Sequence, residues 1–143
     1  MSYALREAEK AEEEDEVPIG AVIVSAGEVI SSAHNMRESL RDATAHAEML
    51  AIRDACKAFG AWRLTDCELY VTVEPCAMCA GAIVLSRIRR LIYGTPGLRC
   101  GACGSVMDIV RNPSLNHRVE VTSGVMEDAC GNIIREYFKH KRI

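Results

Sequence analysis

The sequence predicts an α/β fold in which helices cover both faces of a five-stranded mixed sheet. Short runs rich in Val and Ile alternate along the chain with longer segments of helical periodicity. Strands separated by helices favour a layered mixed sheet that is covered on both faces. Because 143 residues is an ordinary size for one domain, residues 1–143 are predicted to form a single domain.

The first helix and a hairpin are predicted from local patterns. In residues 2–16, small apolar side chains share one stripe of an otherwise acidic segment, which indicates an amphipathic helix that Val17-Pro18 ends. The runs 19–25 and 28–33 flank Ala26-Gly27. This arrangement predicts two strands joined by a tight turn.

The central elements have clear boundary signals. Thr44 precedes and Gly60 follows a helical pattern, which predicts a helix over about 46–59. Alternation in 67–73 predicts a strand, and Pro75 is well placed to open a helix that ends near residue 87. The remaining predictions are a strand at 90–93, a Gly-rich loop at 94–104, one helical turn at 106–110, a strand at 118–122 and a helix at 126–141 that Gly131 weakens.

Composition and hydropathy argue against a membrane or secreted protein. The longest apolar runs, 19–24 and 80–85, are far shorter than the roughly 20 residues that cross a bilayer. The first seven residues have neither the basic nor the apolar region of a secretory signal. Seven cysteines form an odd set without a disulfide framework, which is typical of a reducing compartment. A cytoplasmic protein without a membrane segment is predicted.

The charge distribution is compatible with a nucleic-acid partner. The net charge is -3, but residues 1–16 hold seven acidic and two basic residues, so the rest of the chain is slightly basic. Basic residues cluster at 87–99 and again at 135–142. The second cluster is equally typical of a solvated helix end whose cations complement the helix dipole.

The strongest functional signal is the pair of motifs His46-Ala47-Glu48 and Pro75-Cys76-Ala77-Met78-Cys79. The imidazole of His46 and the thiolates of Cys76 and Cys79 can hold one zinc ion per chain and leave its fourth position open for catalysis. Glu48 is a carboxylate outside this ligand set that can move a proton from water to a leaving amine. Together, H-x-E and P-C-x-x-C are the signature of zinc-dependent nucleobase deaminases.

Two features complicate this site. Residues two apart do not share a face of a regular helix, so His46 and Glu48 can both reach the metal only if this first turn lies at the lip of the site. In addition, Cys100 and Cys103 follow Cys76 and Cys79 at a spacing that also fits a four-cysteine structural zinc site. Such a closed site would give His46 and Glu48 no purpose, so a redox or incidental role for Cys100 and Cys103 is the preferred interpretation.

Beyond the metal motifs, the chain resembles the bacterial tRNA-specific adenosine deaminases over about residues 3–142. The segments that carry the resemblance are Val17-Pro18-Ile19-Gly20-Ala21, Ala33-His34-Asn35, Thr44-Ala45-His46-Ala47-Glu48, Thr72-Val73-Glu74-Pro75-Cys76-Ala77-Met78-Cys79, Gly104-Ser105 and Asn116-His117-Arg118-Val119-Glu120. The resemblance implies a three-layer α/β/α cytidine deaminase-like fold and a homodimer. It also implies hydrolytic conversion of the wobble adenosine of a tRNA anticodon stem-loop to inosine, with release of ammonia.

The same resemblance assigns roles to individual residues. His46, Cys76 and Cys79 match the zinc ligands, and Glu48 matches the proton shuttle. The remaining substrate-binding residues that it implies are Asn35 at the target nucleoside, the backbone amide of Ala47, and Asn116, Arg99, Tyr137, Phe138, Lys141 and Arg142 along the RNA. Without the resemblance, an Asn after a strand is more typical of a turn.

Two other functions stay open at the level of sequence. A deaminase of free nucleosides or of bases such as cytosine or guanine would share the zinc motif, but it would give the C-terminal basic cluster no role. A noncatalytic interaction module stabilised by zinc would need the three ligands but not Glu48.

Overall fold

The computed structural model describes residues 1–141, which form four helices and five strands. In chain order these are α1 (Ser2–Glu13), β1 (Gly20–Ser25), β2 (Glu28–His34), α2 (Ala47–Phe59), β3 (Cys67–Val73), α3 (Ala77–Leu85), β4 (Arg90–Thr95), β5 (Glu120–Thr122) and α4 (Glu127–Lys141). None of the helices within residues 1–141 is both long and apolar enough to cross a membrane.

The five strands form one mixed sheet in the order β2-β1-β3-β4-β5, which confirms the predicted sheet. β1 pairs antiparallel with β2 and β3, whereas β3, β4 and β5 run parallel. The predicted hairpin turn is present, and Ala26 and Gly27 both have positive φ, as the tight turn of a two-residue hairpin requires.

The helices form layers on the two faces of the sheet, as predicted. α2 and α3 pack together on one face, and α1 and α4 pack together on the other. Every second residue of the central strands is apolar and faces α2 and α3. This core includes Ile23, Leu69, Val71, Leu91, Ala51, Ala55 and Ile83. On the opposite face, the fully buried Ala4, Ala8 and Ala11 allow α1 to lie close to the sheet.

Replacing Gly20 with alanine is expected to destabilise the fold, because a Cβ at this position would collide with the backbone of α1 at Ala4 and Ala8. Overpacking of this kind costs about 1–3 kcal/mol, which thermal unfolding will show as a lower Tm. Gly131→Ala is the matched control, since its Cβ would meet only the movable guanidinium of Arg135. A Gly20→Ala protein as stable as the control would contradict the expected close packing.

Several predicted boundaries were wrong in the first half of the chain. α1 ends at Glu13 rather than at residue 16, because the backbone turns at Asp15 (φ 60°) and brings the carboxylate of Glu16 into the protein. Pro75 lies before α3 rather than in its first turn, since Cys76 is the N-cap. α2 ends as predicted, with Gly60 in the left-handed conformation.

The other differences lie after α3. β4 extends to Thr95, because Val73 of β3 still pairs with Thr95, and β5 is limited to Glu120–Thr122. The helical turn predicted at 106–110 is absent. Instead, Cys103 and Asp108 form an isolated antiparallel bridge, so this segment is held by the loop before it. Gly131 does not interrupt α4, where it is buried.

Candidate active site

The three predicted metal ligands meet where two helices begin. His46 is the N-cap of α2, Cys76 is the N-cap of α3, and Cys79 lies in the first turn of α3. The Nδ1 atom of His46 is 3.6 Å from each of the two sulfur atoms, and the three ligand atoms all lie within 4.8 Å of one another. No other group of three such side chains meets this criterion within residues 1–141.

The position of His46 explains how Glu48 reaches the same site. His46 has an extended backbone (φ −76°, ψ 151°), so it stands outside the helical spiral, and Glu48 is the second residue of α2. The i, i+2 conflict of a regular helix therefore does not arise. Glu48 is only 4% exposed. Burial raises the pKa of its carboxyl group to about 7, a value suited to taking and giving a proton near neutral pH.

The two thiols differ in their acidity. Hydrogen bonds with Cys79 and then with His46 lower the pKa of Cys76 to about 3. The bond with Cys76, followed by burial, raises the pKa of Cys79. An imidazole and two sulfur donors, one of them readily ionised, are the donor set that zinc prefers, and three donors leave one coordination position for other chemistry. The residues present therefore fit a catalytic zinc ion.

Cys100 and Cys103 do not complete a four-cysteine site. Cys100 is exposed, whereas Cys103 is buried with its thiol 3.9 Å from the carbonyl oxygen of Pro75. Burial raises the pKa of the Cys103 thiol, which keeps it protonated. Within residues 1–141, neither cysteine joins the cluster of His46, Cys76 and Cys79.

A cleft of about 110 Å³ opens beside this cluster. It is lined by Val17, Ile19, Asn35, Arg37, His46, Ala47 and Glu48. Asn35 is 7% exposed, and its Oδ1 atom accepts a hydrogen bond from the N–H of Arg37 at 3.2 Å while its Nδ2 atom donates to Val17. Asn35 thus serves as a turn residue and also contributes to the wall of the cleft.

The residues predicted to contact RNA fall into separate places. Arg99 and Phe138 line one surface cavity of about 690 Å³ together with Ile134, Arg135 and Lys139; we call it the basic groove. Tyr137 and Lys141 instead contact Asp15 beyond the end of α1, where the Nζ atom of Lys141 lies 2.5 Å from a carboxylate oxygen. Asn116 is exposed in the loop before β5. Arg142 lies outside the described residues.

Two buried carboxylates were missed from the sequence. Glu16 accepts bonds from the N–H groups of Glu38 and Ser39 and from the Ser39 hydroxyl. Glu74 accepts bonds from three backbone N–H groups and one hydroxyl in the segment 97–105. Burial alone would raise the pKa of Glu74, but the bonds from Ser105 and the backbone hold this pKa below its ordinary value. Arg37, at the rim of the cleft, was also missed.

Comparisons with known proteins identify the family. A family model described as MafB19-like deaminase matches residues 1–142. The tRNA-specific adenosine deaminase of Bacillus subtilis (strain 168) is 50% identical over 142 residues, which cover 99% of this chain and 88% of that protein. The chain belongs to the tRNA-specific adenosine deaminases. The group formed by His46, Cys76 and Cys79, which could hold a metal ion, is compatible with this family.

Solved structures agree with this membership of the tRNA-specific adenosine deaminases. A structure from work on A-to-I editing by tRNA:A34 deaminases superposes with a TM-score of 0.90 at 48% identity, covering 93% of this chain and 96% of that one. The guanine deaminase of Nitrosomonas europaea is more distant, with a TM-score of 0.79 at 28% identity over 95% of this chain and 81% of that one. The first similarity confirms the predicted cytidine deaminase-like fold.

Proposed function

We propose that this chain hydrolyses the wobble adenosine of a tRNA anticodon to inosine and releases ammonia. The observation that carries the proposal is the buried carboxylate of Glu48 beside the cluster of His46, Cys76 and Cys79 at an open cleft. A structural zinc site has no use for such a carboxylate. Membership of the tRNA-specific adenosine deaminases supplies the substrate class.

We propose that His46, Cys76 and Cys79 hold one zinc ion per chain. When bound, zinc lowers the pKa of a water molecule toward 7 and so supplies the nucleophile at neutral pH. Glu48 takes a proton from the water and gives one to the exocyclic amino group, which leaves as ammonia. The oxygen of the water replaces that nitrogen at C6 of the purine. The atoms of adenosine and one water molecule are thus all found in inosine and ammonia.

The substrate must present an unstacked base to so small a cleft. An anticodon loop does this at a cost of a few kcal/mol for splaying the base out. Asn35 and the backbone N–H of Ala47 line the cleft and can bind the purine. Arg99 and Phe138 in the basic groove can hold a phosphate and a neighbouring base.

We also propose RNA contacts for Asn116, Tyr137, Lys141 and Arg142. Asn116 is exposed and available to a ligand. A phosphate at Lys141 would have to displace the carboxylate of Asp15, which contacts Lys141 in the free protein. A contact of RNA with Lys141 is therefore secondary to the contacts in the basic groove.

Two features of the structure support a proposal about assembly and location. The outer side of α3 is apolar, and Leu85 at its end is 69% exposed, so this helix can pack against a second copy of the chain. None of the seven cysteines forms a disulfide, which suits a reducing compartment. We propose a homodimer that acts in the cytoplasm.

The zinc-loaded protein is expected to release ammonia from a stem-loop with adenosine at the wobble position and to leave inosine there. Free adenosine, cytidine and guanine, tested alongside, are expected to react poorly, because they lack the phosphates that the basic groove binds. The matched control is the same stem-loop with guanosine at that position, which has no adenine amino group. Turnover of the free compounds alone would favour a nucleoside or base deaminase, and no turnover of any kind would favour an interaction module.

A further inference from the structure

Glu74 is an acidic side chain that the proposed chemistry does not use, although it lies two residues before the ligand Cys76. It is 4% exposed. Its Oε1 atom accepts bonds from the N–H of Gly97 at 3.1 Å and from the hydroxyl of Ser105. Its Oε2 atom accepts bonds from the N–H groups of Cys103 at 2.9 Å and of Ser105 at 3.1 Å. Both oxygens thus bind donors of a single segment.

We call this segment, residues 97–105, the clasp loop. The N–H of Ala102 donates to the carbonyl of Pro75 at 2.9 Å, so the loop is also bonded to the residue that precedes Cys76. A side chain at Gly101 would collide with the carboxylate of Glu74, which shows how closely the loop wraps around it. The clasp loop is therefore built around this one carboxylate.

Arg99 stands in the middle of the clasp loop, between the bonded N–H groups of Gly97 and Cys103. The exposed Arg99 contributes to the basic groove, whose other lining residues, including Phe138, belong to α4. The groove combines three cations with apolar and aromatic surface, which is the chemistry that binds a phosphate and an unstacked base. The position of Arg99 relative to α4 depends on the anchoring of the clasp loop.

We propose that Glu74 is a positioning residue for RNA binding. Its carboxylate holds the clasp loop so that Arg99 faces Phe138 across the basic groove. This role rests on the proposed function and extends it to a residue that touches neither the metal cluster nor the RNA. A positioned cation loses less freedom on binding than a mobile one, so its contact with a phosphate is stronger.

Glu74→Gln is the most informative variant because it keeps the shape of the side chain. In the wild-type protein, each oxygen of the carboxylate accepts a bond from at least one N–H group of the clasp loop. In the variant, one of these two oxygens is replaced by an NH₂ group. Two donors would then oppose each other, and one side of the loop would lose its anchor. The contact between Arg99 and the RNA should therefore weaken, although Arg99 itself is unchanged.

The experiment measures binding of a fluorescently labelled anticodon stem-loop to zinc-loaded proteins by anisotropy. Arg99→Ala is expected to raise Kd about tenfold, the effect of one charge-assisted contact. Glu74→Gln is expected to raise Kd by a similar factor. The double variant should be no more than about twofold weaker than either single variant, because both changes remove the same contact. In turnover, KM should rise while kcat and the zinc content stay unchanged.

Three results would overturn the role of Glu74. Multiplied effects in the double variant would show that Glu74 and Arg99 act separately. A fall in kcat with loss of zinc would show that Glu74 acts through Cys76. Should Glu74→Gln fail to fold, Ser105→Ala removes a single bond to the carboxylate, and an unchanged Kd in that variant would contradict the proposal. A wild-type protein that binds no stem-loop would instead overturn the proposed function and this role with it.

Discussion

Replacing Glu48 with glutamine is expected to leave one zinc ion per chain and to lower turnover of the anticodon stem-loop by at least about 10²-fold. Glutamine has the same size, so the buried site beside Cys79 keeps its packing. It cannot take a proton from water or give one to the leaving amine. The loss is expected in kcat, because proton transfer belongs to the chemical step, and not in binding of the stem-loop.

Single-turnover kinetics and metal analysis of the purified protein will check this result. Glu9→Gln, which changes an exposed glutamate of α1, is the matched control and should behave as wild type. Full activity in Glu48→Gln would assign the proton transfers to another group. Loss of the metal in this variant would show that Glu48 is needed to hold the ion. That result would contradict a ligand set made of His46, Cys76 and Cys79 alone.

Cys76→Ser is expected to lose the zinc ion, and activity with it. A serine hydroxyl is not ionised at neutral pH and does not replace a thiolate ligand. Cys76 is also the N-cap of α3, a position where serine is favourable, so the helix itself should remain formed. The variant therefore separates loss of the ligand from loss of the local fold. Zinc content after dialysis against a chelator is the measurement.

The double variant Cys100→Ser with Cys103→Ser tests the rival ligand set. It is expected to keep one zinc ion per chain, since neither residue joins the metal cluster within the described part of the chain. Loss of zinc in the double variant would favour a four-cysteine site. Retention of zinc in Cys76→Ser would show that the thiolate of Cys76 is not required to hold the ion.

The secondary structure was largely predictable because its signals are local. Gly60 ends α2 and Ala26-Gly27 turns the hairpin, and both act through the backbone conformation of the residues themselves. The prediction failed where a contact with a residue outside the segment decides the conformation. α1 ends early because Glu16 is held by Glu38 and Ser39, and 106–110 is not helical because Asp108 pairs with Cys103. Glu38 and Ser39 lie 22 and 23 residues from Glu16, and Cys103 lies outside the segment 106–110 whose pattern suggested a helix.

The candidate metal cluster was predictable for a chemical reason. Few residue types bind zinc, and the motifs around His46 and Cys76 each stand at the start of a helix, where N–H groups favour ionised sulfur and carboxylate. The place of Glu48 was not predictable in the same way. It depends on the extended backbone of His46, a property of the loop that enters α2.

By itself, the sequence determined the layered α/β class, the motifs with their three candidate ligands, and the spare carboxylate of Glu48, since these follow from residue type and short spacing. Only the tertiary structure decided the strand order, the meeting of His46 with Cys76 and Cys79, and the anchoring of the clasp loop by Glu74. The donors to Glu74 lie 23 to 31 residues further along the chain. Contacts over such separations arise from packing of the whole sheet, which no local pattern encodes.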